Sequence, residues 1–198
     1  MSAEIRYVSK PHPVTGVVNS KLGMWCFLSS EIMLFGALFS SFILLRAGSP
    51  AWPHGHDLLN IPLATANTLI LIASSITMVM AWAELAGKNL GAFKKYLGTT
   101  IVLGIAFLVL KGYEYGMKFE HHIFPSKNNF YGIYFAITGL HILHLIGGIT
   151  VNLYFLFPGS KLYEKNPDQF LGRIEAAGLY WHFVDLVWLF VFPTLYLL

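Results

Sequence analysis

The sequence places an ionisable carboxylate inside a long apolar run. Glu31 stands near the centre of the stretch MWCFLSSEIMLFGALF, residues 24–39, which is apolar enough to lie within a lipid bilayer. A lone carboxylate at that depth is costly to ionise, so we expect it to be neutral much of the time and to donate a hydrogen bond. A histidine or a serine of another apolar segment would be a suitable partner. The alternatives are a proton relay and a contact with a lipid headgroup.

Three histidines also occur within apolar runs, and imidazole is a common ligand of haem and copper. His141 and His144 are three residues apart, so on a helix their rings point about 60° apart. Two axial haem ligands must approach from opposite faces of the ring, which usually requires two helices. A pair of His141 and His182 could meet that need, while hydrogen bonding between helices is the competing interpretation. No residue is predicted to be catalytic, and no metal site is assigned.

Other charged residues occupy helical spacings near the ends of apolar runs. Lys111 and Glu114 are three residues apart. This spacing predicts an interfacial ion pair with both charges reaching the membrane surface, and a role in guiding protons is the alternative. Glu175 and His182 would share one face of a helix, and Asp185 would lie one turn further on.

The composition is that of an integral membrane protein. The chain has 198 residues, of which 56% are hydrophobic and only 12% charged, and the apolar residues come in long blocks. Five segments reach the roughly 20 residues that a spanning helix needs. They lie near 21–46, 62–86, 93–117, 130–157 and 172–197. We therefore predict an all-α fold, a single transmembrane domain over residues 1–198 with five helices, a short N-terminal arm and four loops.

The distribution of lysine and arginine predicts the orientation of this bundle. Nine basic residues lie on the side of the N-terminal arm: Arg6, Lys10, Lys21, Lys88, Lys94, Lys95, Lys161, Lys165 and Arg173. Four lie on the other side: Arg46, Lys111, Lys118 and Lys127. Because lysine and arginine are enriched in cytoplasmic loops, we expect the N-terminus inside and the C-terminus outside.

Three stretches resemble subunit III of haem–copper respiratory oxidases, the cytochrome c oxidase subunit III family, in its five-helix bacterial form. They are KLGMWCFLSSEIMLFGALF (21–39), GIYFAITGLHILHLIGG (132–148) and EAAGLYWHFVDLVWLFVF (175–192). The stretches NTLILIASSITMVMA (67–81) and KGYEY (111–115) fit in the same order, so the resemblance covers all five apolar segments. The run YWHFVD at the centre of the last stretch is highly specific for this family.

The resemblance implies an accessory, non-redox subunit of a proton-pumping terminal oxidase. Members lie beside subunits I and II in the bacterial plasma membrane or the mitochondrial inner membrane. They carry no haem or copper, which belong to the partner subunits. They hold phospholipid, support proton uptake into subunit I and shape oxygen access. For this chain we expect a location in the bacterial plasma membrane, bound phospholipid and no nucleic-acid partner. Membership of a larger respiratory supercomplex is compatible with the resemblance.

The resemblance also implies roles for individual residues. Glu31 falls on the intramembrane glutamate of the family. We expect polar or proton-related roles inside the membrane for Glu31, His141, His144, His182 and Asp185. We expect contacts with lipid or with a neighbouring subunit for Arg173, Glu175, Lys111 and Glu114.

The resemblance leaves several alternatives open. Seven-helix members have two further helices before the stretch KLGMW, which form one wall of a lipid cleft. That wall would here come from another subunit or be missing. Quinol oxidases and accessory subunits of nitric oxide reductases share the five-helix form. The start KLGMW and the pair Ser30–Glu31 look more like the cytochrome c branch, so we expect a subunit of a cytochrome c oxidase, with the other two complexes as alternatives. An autonomous haem protein, which would absorb visible light in isolation, and a proton-coupled transporter, which would work alone in liposomes, are the competing classes.

Overall fold

The computed structural model of the chain describes residues 16, 18–50, 52–53 and 55–197. The helices in this part of the chain are α1 (Asn19–Ala47), α2 (Gly55–Leu58), α3 (Ile61–Ala86), α4 (Leu90–Glu120), α5 (Asn129–Leu156), α6 (Lys161–Lys165), α7 (Pro167–Phe192) and a π-helical turn (Pro193–Leu197). The described residues contain no β-strand. Five of the helices (α1, α3, α4, α5 and α7) are long and apolar enough to cross a membrane. The all-α, multi-pass architecture predicted from the sequence is therefore confirmed.

The orientation of the bundle stays a prediction. Two of the nine basic residues on the expected inner side, Arg6 and Lys10, lie outside the described residues, and so does the C-terminal Leu198. The loop between α3 and α4 contains Lys88, and the loop between α4 and α5 contains Lys127. These two loops lie at opposite ends of α4, and they make the orientation accessible to experiment.

Asparagine side chains cap the N-termini of four of the spanning helices. Each accepts a hydrogen bond from the backbone N–H three residues further on, at 2.8–3.2 Å. The four caps are Asn60, Asn89, Asn128 and Asn166. Such a cap satisfies a free N–H group of the first turn and contributes about 1 kcal/mol. With these caps, α4 begins at Leu90 and α7 at Pro167, ahead of the predicted positions 93 and 172.

Helix α7 packs against α3, α5 and α1, and α3 also packs along α4. Trp181 of α7 is fully buried, and its indole N–H donates to the hydroxyl of Ser74 on α3 at 3.0 Å. Gly104 on α4 and Gly148 on α5 face the same ring. A methyl group added at either glycine would lie 2.9 or 3.0 Å from the indole. The two glycines therefore let α4 and α5 approach Trp181 closely.

Helix α1 forms an edge of the bundle. It packs against α7 and α5, and many of its large apolar side chains are exposed, among them Trp25, Ile32 and Met33. At a rise of 1.5 Å per residue, Glu31 lies about 18 Å from the start of a helix about 43 Å long. The carboxylate that the sequence singled out is therefore close to the middle of the span.

Candidate functional site

The carboxylate of Glu31 contacts a histidine of another helix. Its Oε2 lies 2.8 Å from Nε2 of His144 on α5, and the two side chains are 14% and 11% exposed. The other ring nitrogen, Nδ1, lies 2.8 Å from the backbone carbonyl of Leu140. A carbonyl can only accept a hydrogen bond, so Nδ1 must carry a hydrogen. The bond to Leu140 therefore fixes the tautomer of His144.

The fixed tautomer determines what the Glu31–His144 pair can do. When the imidazole is neutral, Nε2 accepts a hydrogen bond from a protonated Glu31. When the imidazole is charged, Nε2 donates to the carboxylate. Both forms hold one shared proton and have no net charge, so the pair avoids the cost of an isolated charge in the membrane. The arrangement also leaves one proton that can move between two side chains.

Residues of three helices hold the Glu31–His144 pair in place. Phe35, one turn further along α1, packs edge-on against the imidazole with ring centroids 5.3 Å apart. Tyr180 of α7 donates a hydrogen bond to the backbone carbonyl of His144 at 2.9 Å. The imidazole is thus positioned from α1 and α5, and its backbone is tied to α7.

A second polar group lies between α3 and α7. Oγ of Ser75 is 2.6 Å from Nδ1 of His182. Asp185, one turn further on, is 6% exposed, and neither carboxylate oxygen hydrogen bonds to a described residue. Glu175, two turns before His182, forms an ion pair with Lys21 of α1 at 2.7 Å. Glu175 and His182, which were expected to share a face of α7, line one cavity against α3, and Asp185 lines another against the same helix.

Lys111 and Glu114 form the predicted ion pair, but the pair is buried inside the helix bundle. Nζ and Oε2 are 2.8 Å apart, and the side chains are 0% and 2% exposed. The expectation that both charges reach the surface is wrong, because Tyr134 of α5 and Tyr196 of the π-helical turn lie over them. Each phenol donates to Glu114, Tyr134 at 2.7 Å and Tyr196 at 3.0 Å. Neither side chain is therefore exposed for the contact with lipid or with a neighbouring subunit that was expected of it.

Aromatic rings complete the surroundings of Lys111. Nζ donates to the phenolic oxygens of Tyr134 and Tyr196. It also lies 5.1 Å from the centroids of these two rings and of Trp188, and 5.6 Å from that of Tyr115. Burying two charges is costly unless their hydrogen-bonding groups are satisfied. Here the partners come from α4, α5, α7 and the C-terminal turn, so the cluster joins these elements.

His141 lies among aromatic rings. It is fully buried, with its ring centroid 5.7 Å from Phe107 and 5.2 Å from Trp188. Neither ring nitrogen hydrogen bonds to a described residue. In the described part of the chain, no group of three or more His, Cys, Asp and Glu side chains could hold a metal ion. The two histidines of α5 therefore have different surroundings, His144 beside Glu31 and His141 beside Trp188.

A cavity of about 440 Å³ opens between α1, α5 and α7. Its walls are mostly apolar and include Phe27, Val151 and Phe155. Arg173, near the start of α7, is the charged residue among the described residues that line it, and Tyr180 also contributes to the wall. An apolar cavity with a guanidinium at one end has the chemistry to hold a hydrocarbon chain and an anionic group.

Sequence reasoning missed three tyrosines as members of these sites. Tyr134 and Tyr196 surround the Lys111–Glu114 pair, and Tyr180 contacts the backbone of His144. All three lie in the candidate spans, where a phenolic hydroxyl needs a partner. The sequence therefore indicates that each hydroxyl has a hydrogen-bond partner, but it does not indicate which residue the partner is.

The chain is similar along most of its length to subunits of respiratory oxidases. The family model for cytochrome c oxidase subunit III matches residues 5–198. Cytochrome c oxidase subunit 3 of Alkalihalophilus pseudofirmus is 33% identical over 94% of this chain and 92% of that protein. Cytochrome c oxidase subunit 3 of Bacillus subtilis is 31% identical over 91% and 86%. Cytochrome bo(3) ubiquinol oxidase subunit 3 of Pseudomonas putida is 30% identical over 89% and 84%. On this evidence the chain belongs to the cytochrome c oxidase subunit III family.

Proposed function

We propose that this chain is the accessory, non-redox subunit III of a proton-pumping haem–copper terminal oxidase. Family membership makes it part of an oxidoreductase complex, in association with the other oxidase subunits. In our proposal it lies directly beside subunit I, with subunit II in the same complex, in the plasma membrane of a bacterium. Haem and copper belong to those partners, and oxygen is reduced there.

The Glu31–His144 pair is the observation that carries this proposal. A contact of 2.8 Å joins its carboxyl group and its imidazole across two helices near mid-membrane depth. A group of this kind can pass a proton from one side chain to the other with little change in the surrounding structure, because both partners are already in hydrogen-bonding contact. Beside subunit I, it would support the delivery of protons to the site of oxygen reduction without taking part in electron transfer.

The bonding of His144 also supports a non-redox role. Nδ1 is bonded to the carbonyl of Leu140 and Nε2 to Glu31. Ligation of haem iron or copper by this residue would require one of these bonds to break. The Leu140 contact would keep Nδ1 protonated and would leave Nε2 facing Glu31.

A phospholipid is the proposed ligand of the cavity between α1, α5 and α7. Its apolar walls suit an acyl chain, and Arg173 suits a lipid phosphate, with which a guanidinium can form two parallel hydrogen bonds. Bound lipid would cover the flank of the subunit and influence how oxygen and water reach subunit I. The outer wall of the site would come from another subunit.

A quinol oxidase is the second candidate for the complex. One relative with 30% identity, from Pseudomonas putida, is named as a subunit of a cytochrome bo(3) ubiquinol oxidase. The proposed role of this chain is the same in both complexes, because the electron donor would bind to other subunits.

Purification from native membranes in a mild detergent tests the assignment. We expect the chain to co-purify with larger subunits that contain haem and copper. After the subunits are separated, we expect this chain to contain neither group in stoichiometric amount. One haem per separated chain, or a chain that purifies without any haem-containing partner, would contradict the proposal.

A further inference from the structure

The groove between α3 and α7 contains a row of polar groups that the Glu31–His144 pair does not use. Ser75 of α3 and His182 of α7 are in contact through Oγ and Nδ1, at 2.6 Å. Several hydroxyls of the spans bond to their own helix, as Ser41 does to the carbonyl of Ala37 at 2.8 Å. Ser75 instead reaches across to another helix.

Asp185 lies beside this contact and is nine-tenths buried. It is 6% exposed and shares a cavity of about 220 Å³ with Ser75, Thr68 and Trp188. Thr68 already donates its hydroxyl hydrogen to the carbonyl of Ala64. Trp188 already donates its indole hydrogen to Thr68. Of the polar side chains that line the cavity, Ser75 therefore carries the remaining hydroxyl group that can bond to Asp185.

A cavity of about 180 Å³ lies on the other side of His182. It is lined by His182 and, two turns back along α7, by Glu175, which is paired with Lys21 near the end of the bundle. Either cavity is larger than a single water molecule requires. Polar groups thus follow α7 from an ion pair near its start to a carboxyl group within the span.

A hydroxyl group can accept one hydrogen bond while it donates another. From these contacts we infer that Ser75 relays a proton between His182 and Asp185. The inference rests on the proposed function, since it assigns a path to the proton support proposed for this subunit. A protonated His182 gives its Nδ1 proton to Oγ of Ser75, and the hydroxyl hydrogen of Ser75 passes to the Asp185 carboxylate. The histidine becomes neutral, the aspartate becomes a neutral acid, and the serine is unchanged.

The relay is tested on the intact oxidase complex by infrared spectroscopy. The carbonyl stretch of protonated Asp185 is identified as the band that Asp185→Asn removes, and its exchange in D₂O is followed over time. We expect Ser75→Ala to slow the exchange about tenfold or more, because the proton loses its path. Ser75→Thr, which keeps a hydroxyl, should restore most of the rate.

Ser41→Ala is the matched control, because it removes a span hydroxyl that bonds only to its own helix. It should leave the exchange unchanged. An unaltered haem spectrum and co-purification establish that each variant has assembled. If Asp185 gives no band in any state, or if Ser75→Ala exchanges as fast as the native complex, the relay is wrong. If Ser75→Thr fails to restore the rate, the relay is also wrong.

Oxygen consumption separates the relay from the proposed function. If Ser75→Ala slows the exchange while removal of the whole subunit leaves oxygen consumption unchanged at every pH, the relay stands and the proposed function fails. If the subunit proves necessary for sustained oxygen consumption and the exchange is unaffected by Ser75→Ala, the relay alone fails.

Discussion

Glu31 and His144 lie 2.8 Å apart, on two helices that are far apart in the sequence, and a hydrogen bond between them requires one shared proton. The carbonyl of Leu140 keeps the second ring nitrogen of His144 protonated, so the position of the shared proton depends on these two side chains. This relationship accounts for a carboxylate near the middle of an apolar helix. It also determines what substitution of either residue should do.

Replacing Glu31 by glutamine should leave assembly intact. The amide of the Glu31→Gln variant can still donate to Nε2 of a neutral His144, but it cannot give up its proton. We expect a near-normal initial rate of oxygen reduction and a shorter lifetime during turnover, measured with an oxygen electrode. Ser30→Ala is the control, because the Ser30 hydroxyl bonds to its own helix, to the carbonyl of Phe27. Loss of activity from the first turnover in Glu31→Gln would mean that Glu31 is an essential proton carrier.

The Lys111–Glu114 pair should matter for stability. Lys111→Met leaves Glu114 buried without its counter-ion, which typically costs about 3–5 kcal/mol. We expect a large fall in the thermal midpoint of the subunit in detergent. The double variant Lys111→Met with Glu114→Gln should recover much of the loss, because no uncompensated charge remains. Equal stability of Lys111→Met and the native chain would show that the pair is dispensable.

Two glycines of α5 should respond differently to the same substitution. A methyl group at Gly148 would lie 3.0 Å from the ring of Trp181, whereas Gly139 has no neighbouring atom within 4 Å. Overpacking of a buried ring costs about 1–3 kcal/mol, while alanine favours a helix over glycine by about 0.5–1 kcal/mol. Gly148→Ala should therefore lower the thermal midpoint, and Gly139→Ala should maintain or raise it. A higher thermal midpoint for Gly148→Ala than for Gly139→Ala would mean that Trp181 does not pack closely against Gly148.

The orientation can be tested with reporter fusions in two loops. A phosphatase that is active only in the periplasm is fused after Lys88, between α3 and α4, or after Lys127, between α4 and α5. The bias of basic residues predicts activity for the fusion after Lys127 and none for the fusion after Lys88. The opposite pattern would invert the assignment.

Much of the fold and part of the site could be predicted from the sequence. Long apolar blocks fix the number of spans, and the cost of a buried carboxylate implies a partner for Glu31. The sequence does not determine whether that partner is His141, His144 or His182, because the rotation and neighbours of each helix depend on packing. In the structure Trp181 fits against Gly104 and Gly148, and such contacts set the rotation.

The burial of Lys111 and Glu114 could not be predicted for a similar reason. Their spacing of three residues is local and visible in the sequence. Tyr134 and Tyr196, which cover the pair, lie on later elements, 20 and 82 residues after Glu114. The early starts of α4 and α7 are a different case. Asn89 and Asn166 are recognisable capping residues in the sequence, and they indicate where the two helices start.

Oxygen consumption over time, with and without this subunit and across a pH series, tests the central claim most directly. The claim is that the chain supports proton delivery while the redox centres lie in its partners. The depleted oxidase should keep its haem spectrum and reduce oxygen at first. Its rate should then fall faster with turnover than that of the intact enzyme, and the loss should be worse at high pH, where protons are scarce. A depleted enzyme without its haem signal, or one that runs as long and as fast as the intact enzyme at every pH, would contradict the account.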